Sequence, residues 1–229
     1  MKYSNIVKGI FVNRPNRFTA NVIIDGKEEK AHVKNTGRCR ELLIEGVAAA
    51  LEKSSNPGRK TAYSLIGVYK GETLVNMDSQ VPNAVAAEAL AEGKIEEIGA
   101  VDCIKREVKY KDSRFDIYYE KAGKRGFIEV KGVTLENGGV ASFPDAPTAR
   151  GTKHMQELAE AVGEGYEAAV LFLIQLGGVD TFVPNYDADL KFCTALKEAK
   201  AAGVKIMAYG CYVNIDEIKI DKKIDVKLR

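Results

Sequence analysis

No stretch of this sequence approaches the roughly eighteen consecutive apolar residues that a membrane-spanning helix needs. Its first residues, MKYSNIVKGIFVNRPNRF, hold no apolar core ahead of a cleavage site, so export is not expected. Four cysteines, Cys39, Cys103, Cys193 and Cys211, form no C-x-x-C pair and have no histidine cluster beside them. That spacing argues against a zinc site or a disulfide scaffold. It favours a reducing cytoplasm, with these side chains as small semi-buried groups. Internal repeats, low-complexity tails, a helix-turn-helix and an RNA-recognition signature are missing too, so sequence-specific duplex reading is not expected. What remains is a chain of 229 residues, 45% hydrophobic and 29% charged, long enough for one large domain or two modest ones.

The net charge of +2 divides unevenly. Residues 1–82 hold 13 Lys+Arg against 8 Asp+Glu, whereas residues 83–229 hold 21 against 24. A basic module joined to a slightly acidic one points to a polyanion as partner of the first half. In that half the runs IVKGIFV, RFTANVIID, EEKAHV, VAAALEK, YSLIGVYK and ETLVNMD read as short strands, with Asp25-Gly26 as a hairpin turn. RCRELLIEG reads as a helical turn or two. The pattern predicts a small barrel of the OB or SH3-like kind over residues 1–81, with the boundary at Val81-Pro82.

From Pro82 to the end, residues 82–229, the order changes to α-β-β-β-α-β-α-β, which predicts an α/β domain with a mixed sheet. PNAVAAEALAEG, TARGTKHMQELAEAVG and DADLKFCTALKEAKAAG have helix character, and EAAVLFLIQL reads as a buried central strand. SRFDIYYE and RGFIEVKGVTL form an expected hairpin that carries charge where a buried strand carries aliphatics. Strand alternation puts Glu129 and Lys131 on one face and Ile128 and Val130 on the other. Asp116 is then expected across the hairpin from Glu129, with Gly123 or Gly126 in the bend.

Cutting a phosphodiester calls for one or two Mg²⁺ or Mn²⁺ ions on a few carboxylates, and for a nearby lysine to orient water and offset charge. Asp116, Glu129 and Lys131 are the candidate catalytic residues. Glu88, Asp116, Glu129 and the Val130 carbonyl are the candidate metal ligands. The competing reading is the solvated face of an ordinary hairpin. Arg150, Lys153 and His154, at i, i+3 and i+4 of one helix, suit a phosphate or are merely solvated. Gln175 ends its buried strand either as part of the site or as a cap.

At these residues the chain resembles the PD-(D/E)XK nuclease superfamily over Pro82 to Val213, with Phe115 where a proline is usual. The longer strings HVKNTGRCREL, SRFDIYYE, FIEVKGVTL and FPDAPTARGTKHMQEL resemble the sugar fermentation stimulation protein A family over essentially the full length. That resemblance implies an N-terminal OB fold, a C-terminal nuclease-like domain and a DNA-binding, regulatory role without a settled substrate.

An OB barrel binds single strands by stacking bases along a basic groove. Phe11, Phe18, Tyr63 and Tyr69 are the available aromatics, and Arg14, Arg17, Arg38, Arg40 and Arg59 are the candidate nucleic-acid contacts, joined by Arg150 and Lys153. Arg14-Pro15-Asn16-Arg17 and NTGRCR lead this set because arginine offers forked donors. Three readings follow: a Mg²⁺-dependent nuclease, a non-catalytic DNA-binding transcriptional regulator on a nuclease-like fold, and an inert scaffold. The partner is expected to be DNA, single-stranded or duplex, with RNA and a homodimer left open.

Overall fold

The computed structural model describes residues 1–35 and 37–228, and the chain divides into two compact units. Met1–Val81 forms the first together with Gln175–Gly178 and Cys211–Lys219. Pro82–Ile174, Val179–Gly210 and the chain from Ile220 onward form the second. Two short segments from beyond Val81 therefore group with the first unit. Among the described residues, no helix is long and apolar enough to cross a membrane.

Six strands build the first unit: β1 (Ile6–Asn16), β2 (Thr19–Ile24), β3 (Lys27–Val33), β4 (Ala48–Lys53), β5 (Tyr63–Lys70) and β6 (Thr73–Asn76). Their order is β3-β2-β1-β4-β5-β6. A parallel pairing of β3 with β5, through Ala31↔Tyr63, His32↔Ser64 and Val33↔Leu65, closes five of them into a barrel with OB connectivity. Period-2 burial drives the closure. Ala20, Val22 and Ile24 of β2 point inward with Phe11, Ala31, Val33, Leu51 and Leu65. Asp25 and Gly26, at φ 50° and 75°, make the hairpin turn as the sequence indicates.

RCRELLIEG does not form a helix. Cys39 sits at φ 44°, its carbonyl accepts from the N–H groups of Leu42 and Leu43, and Gly46 at φ 87° turns the chain back into β4. One such turn fixes several torsions for very few hydrogen bonds, so it does not propagate. Burial of Cys39 and Leu42 holds it instead.

In the second unit α1 (Pro82–Ala91) precedes β7 (Cys103–Tyr110), β8 (Ser113–Lys121) and β9 (Lys124–Val133). Then come β10 (Glu136–Asn137), β11 (Val140–Phe143), α2 (Ala149–Gly163), β12 (Glu167–Ile174), β13 (Thr181–Pro184) and α3 (Leu190–Ala201). β14 (Lys205–Val213), β15 (Ile218–Lys223) and β16 (Asp225–Val226) complete the chain. The main sheet runs β15-β14-β12-β9-β8-β7. β12 is its parallel centre, paired with both β9 and β14, and every residue from Ala168 to Ile174 is buried. That position explains the unbroken apolar run. A second sheet, β10-β11-β13-β16, has strands of two to four residues and left no readable signal in the sequence.

The charged hairpin is real. Ala122 and Gly123, at φ 47° and 76°, turn β8 into β9. Gly126 is not in the bend but inside β9, opposite Tyr119. Tyr119 lies flat over that glycine and donates its hydroxyl to Glu167 at 2.8 Å. A Cβ on residue 126 would stand within 2.6 Å of the ring and of the hydroxyl oxygen. Gly126→Ala is therefore expected to destabilise the chain by about 2 kcal/mol through overpacking, read as a lowered midpoint in urea unfolding.

Candidate functional site

Strand pairing assembles the site in the second unit. The β8–β9 register reaches Ile117↔Ile128, and one residue further Asp116 stands beside the peptide joining Glu129 to Val130. Asp116 Oδ2 accepts the Val130 N–H at 2.8 Å, and its Oδ1 accepts from Asn83 Nδ2 at 2.7 Å. Glu129 is only 2% exposed. Its Oε1 accepts from Lys131 Nζ at 2.6 Å and stands 2.5 Å from His154 Nδ1, while Oε2 is buried with no partner among the described residues.

These partners divide the two carboxyls electrically. Burial, reinforced by the negative charge of Glu129, pushes Asp116 up to about 6 against the opposing Val130 N–H. Burial acts on Glu129 in the same upward sense. The His154 hydrogen bond and the Lys131 charge outweigh it and hold Glu129 below the ordinary carboxylate range. The arrangement is two close carboxylates, one ionised and one poised near neutrality, with a lysine in contact.

Asp116, Glu129, Val130 and Lys131 thus come together as the sequence indicates. Glu88 does not join them. It is exposed on α1, and five residues at 100° each turn it about 140° away from Asn83, the α1 side chain that does reach Asp116. Among the described residues no group of three or more His, Cys, Asp or Glu side chains closes into a metal shell. Arg150 and Lys153 are exposed on α2, Arg150 with its Nε 3.5 Å from His154 Nε2 and Lys153 with its Nζ 3.6 Å from Glu157. His154 is buried against Glu129 rather than turned to a phosphate.

Gln175 belongs elsewhere. It donates to Asn76 Oδ1 and to the Asp78 carbonyl, within a buried polar cluster of the first unit that includes Tyr3 and the Lys34–Asp78 ion pair. Asn83 and the buried Glu157, whose Oε2 also has no partner among the described residues, carry no signal in the sequence. Neither residue type at those positions carries a pattern that separates it from an ordinary helix face.

The barrel presents a different surface. A pocket of about 580 Å³ is lined by Arg17, Arg38 and Arg40 together with Phe11 and Leu43. Arg14 lies there too, but its guanidinium is committed. Nη1 donates to the carbonyls of Gly37 and Arg38, and Nη2 to those of Arg17 and Asn35. Arg14 therefore builds the pocket wall, a correction to its expected role as a phosphate contact. Arg59 bonds Ser64 Oγ at 3.1 Å and is not among the residues lining the pocket. Phe18 is 60% exposed beside Arg17, and Phe11 is core. Thr36, within NTGRCR, is outside the described residues.

Comparison with known proteins agrees with both units. Residues 12–77 match the family model for the SfsA N-terminal OB domain, and residues 80–217 match that for the sugar fermentation stimulation protein RE domain. The chain belongs to the sugar fermentation stimulation protein (SfsA) family. Sugar fermentation stimulation protein homologs from Alkaliphilus oremlandii and Clostridium beijerinckii are 52% and 54% identical to it, each aligned over 100% of both chains. The solved structure of Pyrococcus furiosus SfsA in complex with Ca²⁺ superposes with a TM-score of 0.89 at 30% identity, covering 99% of this chain and 98% of that one.

The raised Asp116 fixes a sign for this SfsA chain. A carboxyl at about 6 when folded, against 3.8 as its ordinary value, binds its proton more tightly in the folded state. Its contribution is therefore complete below about pH 4 and is lost as pH rises through 6. Asp116→Asn keeps an acceptor for Val130, and the Asn83 amide can turn to meet the new one. In EDTA the variant is expected to gain about 2 kcal/mol over wild type at pH 8, discounted for partial exposure, and nothing at pH 4. Thermal melts at the two pH values check this.

Proposed function

We propose that this chain is a nucleic-acid-binding protein whose second unit is a divalent-cation-dependent nuclease centre. The observation that carries the reading is Glu129 Oε2, a buried carboxylate oxygen with no donor among the described residues, in a site shared with a second carboxylate. Leaving such an atom unsatisfied is costly, and a hard cation with oxygen ligands satisfies it. Asp116, Glu129 and the carbonyl of Val130 are the oxygen donors that suit Mg²⁺ or Mn²⁺, the remaining positions falling to water and substrate. The Ca²⁺ complex of the Pyrococcus furiosus relative supports a divalent ion in this family.

The cation supplies charge neutralisation for the phosphate and a Lewis acid for activating water. The chain's own residues do the rest. Glu129 and Asp116 set the position, and Asn83 and the Val130 N–H keep Asp116 from turning. Lys131 holds its ammonium beside the reacting region, placed to stabilise negative charge as it develops. Asp on one strand and Glu-x-Lys on the next is the arrangement of the PD-(D/E)XK nucleases, which supports phosphodiester hydrolysis over other metal-assisted chemistry.

For the barrel, Arg17, Arg38 and Arg40 around one pocket, with Phe18 exposed alongside, support backbone phosphate contacts and stacking of an unpaired base. DNA is the favoured partner, with RNA as a test arm.

End-labelled single-stranded DNA, duplex DNA and RNA incubated with Mg²⁺ or Mn²⁺ test the reading. Wild type is expected to yield products that EDTA abolishes, and Glu129→Gln and Lys131→Ala to lose at least about a hundredfold in rate. Bound but uncut strands in every lane would leave the non-catalytic regulator. The triple variant Arg17→Ala, Arg38→Ala, Arg40→Ala is expected to weaken binding across all sequences. Each lost phosphate contact should reduce the slope of log K against log salt by about 1, measured by fluorescence anisotropy.

A further inference from the structure

Among the described residues, Glu129 carries two donors on one oxygen and none on the other. Either donor alone leaves the carboxylate free to rotate and share the contact between its oxygens. Lys131 is poorly suited to fix it, because an ammonium on a four-carbon stem follows whichever oxygen moves. The His154 ring has no such freedom. It is 3% exposed, and Phe115 meets it edge-on with centroids 6.0 Å apart and planes at 80°. Arg150 Nε approaches its far nitrogen at 3.5 Å.

Arg150 Nε can only donate, so Nε2 accepts from it and the ring proton sits on Nδ1, which donates to Oε1 at 2.5 Å. We propose that His154 is the positioning residue of the centre: through Nδ1–H it locks Oε1 of Glu129 and so presents Oε2 to a divalent cation. The role inverts the usual pairing in which a carboxylate orients a metal-bound histidine. It rests on the divalent-cation reading of the site given above.

Asparagine and glutamine separate this from simple packing. An Asn side chain places its amide N–H where Nδ1 stands, whereas Gln reaches the position of Nε2. Mn²⁺ binding to the full chain, followed by calorimetry at fixed pH, is expected to stay within about threefold of wild type in His154→Asn. His154→Gln and His154→Ala are expected to lose about 10- to 100-fold. Thermal melts establish that each variant is folded, and if Ala is not, the Asn–Gln comparison carries the result.

Equal affinity in wild type, Gln and Ala would overturn the positioning role while leaving the metal site standing. Asn binding as weakly as Ala would overturn it as well. A wild type that binds no Mn²⁺ would remove the metal reading and this role together. With two histidines in the chain, ¹⁵N spectra of the imidazole rings in metal-free protein give an independent check. A proton on Nδ1 of His154 is expected, and a ring protonated at Nε2 alone would refute the proposal.

Discussion

Two carboxyls forced together out of water govern the second unit. Asp116 and Glu129 are brought close by backbone pairing, which the strands form for their own reasons, and the charge must then be managed by whatever surrounds it. The chain answers asymmetrically. Glu129 receives an ammonium and an imidazole, whereas Asp116 receives an amide and a peptide N–H, both neutral. One carboxyl is thereby kept ionised and the other is left near the edge of ionisation. A cluster kept only for stability gains little from buried charge, since apolar side chains of similar size commonly do as well. The asymmetry is what the proposed divalent-cation site would use.

The barrel solves another problem, closure without a long chain. β3 pairs with β5 in parallel over three residues, enough to bring the sheet round on itself. The carbonyls of Asn35, Gly37 and Arg38 lie outside the strands and need donors from elsewhere. Arg14 supplies the missing donors. Arg17, Arg38 and Arg40 line the pocket while a fourth arginine, Arg14, does the structural work.

The sequence carried the parts of this design that repeat or alternate. Glu129 and Lys131 are separated by one apolar residue, and a strand's period of two assigns them one face. Residues 168–174 are apolar without interruption, and a sheet centre is where such a run belongs. The family strings fixed the order of the domains. What stayed hidden depends on three-dimensional placement. Spacing on α2 grouped His154 with Arg150 and Lys153, and only packing reveals that the histidine turns inward while the other two face water. Glu88 was the acidic residue on α1 and so drew attention, yet Asn83 faces the site. Arg14 looks like any loop arginine until the carbonyls around it are counted. Strands of two to four residues, such as β10 and β16, are shorter than any periodicity.

Arg14 has a thermodynamic meaning beyond its contacts. A guanidinium keeps its charge at any pH a cell meets. Its bonds to the carbonyls of Asn35, Gly37 and Arg38 therefore do not respond to the acidity that titrates Asp116. The Arg14 contacts of one unit are thus indifferent to proton concentration, while the other unit holds a carboxyl balanced between two ionisation states. The same chain joins a surface prepared in advance to a centre whose charge is still open to adjustment.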